Sequence, residues 1–339
     1  MIETVEQLEA LLSLPSEQDV AALRALDGDL MILGVGGKMG PSLARRARRA
    51  IELAGVKKRV IGVARFSSGG LEDELHAAGV ETIRCDLLAP GALAVLPDIA
   101  NIVFMAAKKF GTTGAEHTTW AMNTFLPGLV AERFHASRIV AFSTGNVYPL
   151  RPIEQGGATE ATPVAPVGEY AQSALGRERM FEYGADRWRT PVALLRLNYA
   201  VELRYGVLLD IGLAVKEGRP IDLRMGLVNV IWQGDANSVC LRAFAQCQTP
   251  PFVLNMTGPE TLSVRYIAER FGAALGVQPV FDGTEAPSAL LSNASKMTQL
   301  FGYPTVAPND VIDWTAEWIA RGGATLNKPT HFQTRDGKF

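Results

Sequence analysis

The sequence predicts an α/β protein with a doubly wound parallel sheet and a smaller C-terminal α+β domain. Short continuous apolar runs, such as residues 30–35 and 59–65, alternate with segments of helical periodicity. Strands that are buried on both faces of a parallel sheet have this continuous apolar character. A glycine-rich loop follows the first run, and the regular alternation ends near Asn198.

Two short helices are expected before the first strand, since residues 4–14 and 15–26 carry apolar side chains at helical spacing and Ser16 is a plausible N-cap. We therefore assign residues 1–27 to an N-terminal helical arm and 28–197 to a dinucleotide-binding domain. The helices and strands of that domain are predicted in the order 40–54, 59–65, 71–79, 81–87, 101–107, 118–134, 138–144, 169–186 and 191–198.

Residues 198–339 are predicted to form mainly the substrate-binding domain. A helix is expected over 207–217 and another over 261–276, while 228–247 has the pattern of a strand and helix that return to the first domain. Residues 327–339 are polar and carry no clear signal of regular structure.

Charge and composition favour a small-molecule partner. The chain has 339 residues with Lys+Arg 33 and Asp+Glu 35, which gives a formal net charge of -2 and no field for nucleic acid or an anionic membrane. The three cysteines lack metal-binding spacing, the N-terminal stretch is acidic rather than signal-like, and no apolar run approaches the ~20 residues that span a bilayer. We expect a cytoplasmic protein without a metal site.

The glycine loop "GVGGKMG" indicates a nucleotide site. Gly34, Gly37 and Gly40 lie between the first strand and first helix, with Lys38 and Met39 inside the loop. Glycines allow the backbone to approach a pyrophosphate, and the helix N-terminus offers free N–H groups and the positive end of a dipole. This loop therefore predicts a Rossmann-type dinucleotide site.

The end of the second strand favours NADP over NAD. An acidic residue there would bind the adenosine ribose hydroxyls, but the sequence has Ala64 and Arg65 followed by Ser67 and Ser68. A cation with hydroxyl neighbours suits a 2′-phosphate, so NADP is the first choice and NAD the alternative. Asp86, at the end of the third strand, is placed to bind the adenine amino group.

At this point the sequence resembles the extended short-chain dehydrogenase/reductase family of NAD(P)-dependent epimerases, dehydratases and reductases, over roughly residues 29–322. The supporting motifs are the GxxGxxG loop, "FSTGNVY", and "EYAQSALGRE" in place of the family's Tyr-x-x-x-Lys helix. Further matches, which the resemblance assigns to the cofactor, are Asp86, Leu87, Ala106, Ala107, Asn123 and Asn198.

The resemblance implies hydride transfer, with Tyr170 as acid/base and Thr144 holding the substrate oxygen. The family lysine would lower the tyrosine pKa, but Ala174 stands at its position. Because an unperturbed tyrosine has a pKa near 10, forming phenolate at pH ~7 costs roughly 4 kcal/mol. That penalty is on the order of a thousandfold in rate.

Three alternatives address the missing lysine. Another cation could replace it, from Lys108, Lys109 or Arg177. A different base could carry the proton, with His117 the candidate because histidine titrates near neutrality. Finally, the protein could bind NADP(H) as a catalytically silent sensor or scaffold.

Residues after the sixth strand predict the substrate side, because ligands bind at the carboxyl ends of parallel strands. Their mixture of polar groups suggests a hydroxylated, carbohydrate-like substrate: a sugar, sugar acid or polyol in preference to a nucleotide sugar. The alternative is a salt-bridge cluster between domains. The resemblance also implies a homodimer. The proposed substrate contacts are Ser143, Asn146, Tyr199, Glu202 and Arg204.

Overall fold

The computed structural model describes residues 2–67, 69–109, 111 and 114–338. Its centre is a parallel sheet of seven strands. In chain order these strands are β1 (Leu30–Leu33), β2 (Val60–Ala64), β3 (Glu81–Arg84), β4 (Asn101–Phe104), β5 (Arg138–Thr144), β7 (Val192–Leu197) and β12 (Phe252–Met256). Their order across the sheet is β12-β7-β5-β4-β1-β2-β3.

Helices cover both faces of this sheet, as the continuous apolar strands predict. The arm and the first half contribute α1 (Val5–Leu12), α2 (Glu17–Ala25), α3 (Gly40–Leu53), α4 (Leu71–Ala77), α5 (Glu116–Trp120), α6 (Leu126–Arg133) and α7 (Gly168–Trp188). The single helix expected over 118–134 is interrupted by a π-helical turn, Ala121–Phe125, between α5 and α6. The predicted doubly wound fold is confirmed.

Part of the C-terminal half forms a second layer with its own core, built mainly on α8 (Val207–Lys216), α10 (Val264–Leu275) and α12 (Pro308–Ala320). Two further helices, α9 (Gln233–Arg242) and α11 (Ser295–Phe301), bury apolar side chains in the core of the central sheet. Two-residue strands pair around them: β6 (Arg151–Pro152) with β15 (Ser288–Ala289), β8 (Ala200–Val201) with β11 (Ile231–Trp232), β9 (Ile221–Asp222) with β14 (Phe281–Asp282), and β10 (Leu227–Val228) with β13 (Leu262–Ser263).

The arm is tied to the sheet layer by a buried ion pair. Asp19 of α2 accepts hydrogen bonds from Arg46 of α3, at 2.7 Å, and from Ser238 of α9, at 2.5 Å. In addition, Gln233 and Asn237 of α9 donate to Ser42 of α3. The segment 228–247 therefore packs on the nucleotide-binding layer through α9.

The last residues form a segment with defined contacts that sequence periodicity does not reveal. We call residues 324–338 the C-terminal strap. The Thr330 N–H and hydroxyl both donate to Asp210 of α8, and Arg335 donates to the Ser288 carbonyl at 2.8 Å. The strap ends against the first turn of α7, where a Cβ on Gly168 would lie 2.3 Å from the Gly337 carbonyl oxygen.

None of the helices in the described ranges is both long enough and apolar enough to cross a membrane.

Candidate active site

The glycine loop folds as a dinucleotide cradle at the carboxyl ends of β1 and β4. Gly34 has φ +92°, and a Cβ there would lie 2.6 Å from the Ala106 backbone nitrogen. A Cβ on Gly40 would lie 2.1 Å from the Val35 carbonyl oxygen. No side chain caps the N-terminus of α3, where the Gly40 N–H donates to the Gly37 carbonyl oxygen and Pro41 follows, so the positive end of the helix dipole lies beside the loop. Gly37 is exposed in the same loop.

Arginine side chains lie where β2 and β3 end. Arg65 and Ser67 are exposed directly after β2. Arg84 of β3 donates to the Arg65 and Phe66 carbonyls, at 3.3 and 3.1 Å, and pairs with Glu72. Sequence reasoning missed Arg84, although its place opposite Ala64 follows from the parallel register of the two strands.

The remaining adenosine-side prediction concerns the loop after β3. Asp86 is exposed and its carboxylate accepts the Leu88 N–H at 3.1 Å, which fixes a tight turn. Leu87 is buried beneath that turn. Ser68, named above with Ser67, lies outside the described residues.

Tyr170 lies in the first turn of α7 and lines the main cleft. Burial raises the pKa of its phenol, while the charge of Arg177 and a hydrogen bond with Thr144 act in the opposite direction. The two residues assigned to acid/base and substrate-oxygen roles are therefore neighbours, and a cation is present beside them. That cation lies seven residues along the helix from Tyr170.

Arg177 is held rigidly. Its guanidinium donates to the Phe142 carbonyl at 2.7 Å and to the Asn123 side-chain oxygen at 3.0 Å. Asn123, in the π-helical turn, also accepts the Lys108 N–H and donates to the Lys108 carbonyl, both at 2.9 Å. Asn123 therefore fixes both the loop after β4 and the cation of α7, a use typical of π-helical turns at functional sites.

The position of the absent lysine is apolar. Ala174 is fully buried and packs in a cluster with Val147, Tyr148 and Ala158. A lysine ammonium in these surroundings would lose much of its hydration.

The loop after β4 brings lysines to the cleft. Lys109 Nζ lies 5.8 Å from the centroid of the Tyr170 ring and 3.5 Å from the Thr330 carbonyl oxygen. Burial lowers the pKa of Lys109 to about 8, against the charge of Asp210. Lys108 is half-buried and also lines the cleft, whereas His117 is exposed in α5 and is not among the residues that line it.

A buried polar network fixes α7 to the sheet. Glu178 forms a two-pronged ion pair with Arg196 of β7, at 2.9 and 2.7 Å, and accepts the Ser143 hydroxyl at 2.5 Å. Arg196 also donates to the Tyr148 hydroxyl at 2.6 Å, and Tyr148 donates to Asn255 of β12. Ser143, predicted as a substrate contact, therefore donates its hydroxyl proton to Glu178 in this network.

The other predicted substrate contacts divide into two groups. Asn146 lines the cleft and donates to the Thr144 hydroxyl at 3.0 Å. Glu202 is instead buried against Arg204, at 3.1 Å, and Arg204 reaches Glu9 of the arm at 2.6 Å. Glu202, Arg204 and Glu9 thus form a salt-bridge cluster of the kind that we considered as the alternative to substrate contacts.

A cleft of about 550 Å³ joins these features. Asn198 and Tyr199 line it, Asn198 donates to Asn229 at 2.8 Å, and burial raises the pKa of the Tyr199 phenol. The C-terminal strap closes one side. The lining residues are Gly37, Lys38, Met39, Met105, Ala107, Lys108, Lys109, Phe142, Ser143, Thr144, Asn146, Tyr170, Arg177, Leu197, Asn198, Tyr199, Ala200, Tyr205, Gly206, Val207, Lys328 and Thr330.

The chain belongs to the NAD dependent epimerase/dehydratase family, whose model matches residues 30–201. That range begins at β1, contains the glycine loop and Tyr170, and ends with β8. The resemblance to NAD(P)-dependent epimerases and dehydratases is thus confirmed. No curated protein matches the sequence.

Solved structures share the fold across most of the chain. UDP-glucuronic acid 4-epimerase from Bacillus cereus, in complex with NAD, superimposes with a TM-score of 0.71 at 18% identity, covering 87% of this chain and 99% of that one. A dTDP-glucose 4,6-dehydratase from Bacillus anthracis gives 0.70 at 16%, covering 86% and 96%. UDP-glucose 4-epimerase from Thermotoga maritima gives 0.69 at 14%, covering 87% and 99%.

The close approach at Gly34 gives a test of the cradle. We expect Gly34→Ala to weaken dinucleotide binding at least tenfold, because the methyl group strains a positive φ and displaces Ala106. Gly55→Ala is the matched control, since Gly55 has φ +68° but open space around it, so only the backbone cost of about 1–2 kcal/mol applies. Fluorescence titration with NADPH and NADH measures the affinity. Equal affinities of the two variants would contradict this assignment of the loop.

Proposed function

We propose that the protein is an NAD(P)-dependent oxidoreductase of the epimerase/dehydratase type that acts on a hydroxylated, carbohydrate-like substrate. The observation that carries this proposal is the joint placement of Tyr170, Thr144 and the glycine cradle around one cleft. The structural neighbours include proteins in complex with UDP-sugars and NAD, which supports the same class of reaction.

The dinucleotide would lie across the glycine loop, with its pyrophosphate on the N-terminus of α3. Bound nicotinamide supplies the hydride acceptor and donor of this reaction class. In the proposed mechanism Thr144 Oγ1 hydrogen-bonds the substrate hydroxyl, and Tyr170 Oη exchanges the hydroxyl proton as the carbinol is oxidised. Asn146 orients Thr144 through its amide.

Arg177 and Lys109 supply the positive charge that the family lysine would otherwise provide. Arg177 carries a permanent charge and is fixed by Phe142 and Asn123, so it stabilises phenolate without moving. Lys109 lies above the Tyr170 ring at 5.8 Å. A cation near the phenol favours its charged form. His117, exposed on α5 outside the cleft lining, remains a second candidate for proton transfer.

The preferred cofactor in this proposal is NADP. Arg65 is exposed at the end of β2, and Arg84 lies beside it on β3. Two guanidinium groups near the adenosine end suit a 2′-phosphate, because arginine binds phosphate oxygens through paired N–H groups.

Arg65→Ala tests this preference. We expect the wild type to bind NADPH at least tenfold more tightly than NADH, and the variant to lose most of that difference while NADH affinity changes little. Arg59→Ala is the control, because Arg59 lies just before β2 at the opposite edge of the sheet and pairs there with Asp29. Calorimetric titration gives both constants. A wild-type preference for NADH would rule out the NADP proposal.

Tyr170→Phe tests the catalytic proposal. Turnover should fall by about 10²–10⁴-fold, the usual contribution of a general acid/base, while cofactor affinity stays within about threefold. The assay monitors nicotinamide absorbance and product composition across sugars, sugar acids and nucleotide sugars, because an epimerisation leaves the cofactor unchanged overall. Tight cofactor binding without conversion of any substrate by the wild type would instead support a sensor or scaffold protein.

The place of the active-site cation can be tested by moving it. Arg177→Met should reduce turnover in the oxidation direction at least tenfold and shift the acidic limb of its pH profile upward, because the Tyr170 pKa rises without the neighbouring charge and the phenolate forms only at higher pH. Ala174→Lys alone should not raise turnover, since a second cation would enter an apolar cluster beside Arg177. The double variant Ala174→Lys/Arg177→Met should recover part of the lost rate. A gain from Ala174→Lys alone would show that Arg177 does not serve this role.

We also propose a homodimer formed through the α5–α7 face. Phe125 and Tyr183 expose 60% and 55% of their surface there, a large apolar exposure that a second subunit would cover.

A further inference from the structure

The charges that line the cleft are all of one sign. Five of its described lining residues are lysine or arginine, and none is aspartate or glutamate: the five are Lys38, Lys108, Lys109, Arg177 and Lys328. The formal charge of the whole chain is only -2, so this concentration of positive charge is local. A positive cleft with low-dielectric walls attracts anionic ligands.

Lys38 reaches away from the dinucleotide loop. Although it belongs to the sequence of that loop, its ammonium donates to the Ala200 carbonyl at 2.9 Å and lies 4.0 Å from the centroid of the Tyr205 ring. Ala200 and Tyr205 belong to the segment after β7, on the side where the substrate is expected. The Lys38 charge is therefore directed at the substrate side of the cleft.

Lys38 and Lys109 lie close enough to influence each other. The pKa of Lys38 is lowered to about 7, chiefly by burial and in part by the charge of Lys109, and burial lowers the pKa of Lys109 to about 8. Two neighbouring ammonium groups in a poorly hydrated site disfavour each other's charged form. An anion placed between them would remove that penalty.

The nearby carboxylates are behind the wall of the cleft. Asp210 raises the pKa of Lys109 but is bound to the Thr330 N–H and hydroxyl of the C-terminal strap. Glu202 acts similarly on Lys38 while it pairs with Arg204. Asp210 and Glu202 therefore offset part of the lysine charge from positions outside the cleft lining. Among the described lining residues, the charged side chains that an incoming ligand would meet are all basic.

The cofactor does not account for both ammonium groups. Its pyrophosphate would lie on the N-terminus of α3, whereas Lys109 follows the next strand of the sheet, β4, and contacts the strap. Lys328, at the exposed rim, is also contributed by the strap. The strap and the β4 loop thus add positive charge where the substrate, rather than the dinucleotide, would bind.

We propose that Lys38 and Lys109 form a subsite for an anionic group of the substrate, a carboxylate or a phosphate ester, with Lys328 at its rim. This inference rests on the proposed function, which it narrows to acidic or phosphorylated sugars. The ligand's anionic oxygens would accept hydrogen bonds from the two ammonium groups and anchor the substrate while Tyr170 and Thr144 meet its reactive hydroxyl.

The test compares matched probes by calorimetry on the protein saturated with NADP⁺. The probes are glucose, glucuronate, glucose 6-phosphate and UDP-glucose, with galactose and galacturonate as a second neutral and acidic pair. We expect at least one anionic probe to bind tenfold or more tightly than its neutral partner. Preference for the sugar acid assigns a carboxylate, and preference for a phosphorylated probe assigns a phosphate.

Lys38→Met and Lys109→Met should each abolish that preference in titrations run at NADP⁺ concentrations that saturate each variant. The exposed Lys57→Met is the control for loss of one positive charge outside the cleft. The preference should also decline as pH rises through about 7 to 8, because the ammonium groups of Lys38 and Lys109 lose their protons over that range. Circular dichroism and thermal melting confirm that each variant is folded.

Equal affinity for acidic and neutral probes, or no binding of any anionic probe, would overturn the subsite. Retained preference in both lysine variants would overturn it as well. The proposed function fails separately, through turnover in Tyr170→Phe or loss of dinucleotide binding, so the two results can be told apart.

Discussion

The active site depends on the ion pair between Glu178 and Arg196. Both side chains are buried, and their two hydrogen bonds join α7 to β7 at a fixed register. Removing one partner of a buried ion pair strongly destabilises the fold, because the remaining charge is left in the interior without hydration or a partner. Since Tyr170 precedes Glu178 by eight residues on the same helix, this pair also sets the height of the phenol above the sheet. The Ser143 hydroxyl also donates to Glu178.

In the proposed active site, basic side chains lie near Tyr170 although Ala174 stands where the family resemblance implies a lysine. The family position is occupied by Ala174 in an apolar cluster, while Arg177 lies one turn further along and Lys109 approaches from the loop after β4. Arginine suits this arrangement because two of its nitrogen atoms can be bound by the scaffold while its charge acts on the phenol. Asn123 links α7 to the loop after β4, since its side chain binds both the Arg177 guanidinium and the Lys108 backbone.

Much of the fold and the nucleotide loop can be predicted from local sequence. Gly34 and Gly40 mark close backbone approaches, and continuous apolar strands mark a sheet covered on both faces. Contacts between distant segments could not be predicted in this way. Arg204 pairs with Glu9, which lies 195 positions away, and Thr330 binds Asp210 across 120 positions. No periodicity records such partners, so Glu202 and Arg204 resembled ligand contacts and the strap resembled an unstructured tail.

The contact between Gly168 and Gly337 limits how this sequence can diverge. Each glycine has a positive φ, and a side chain on either one would meet the other segment's backbone within 2.3 Å. The helix that carries Tyr170 therefore begins against the end of the C-terminal strap, and neither position can accept a side chain while the two backbones stay in contact. In related sequences, both positions should remain glycine wherever this contact is kept, so a larger residue at either one would mark relatives that lack the same covering segment over this helix.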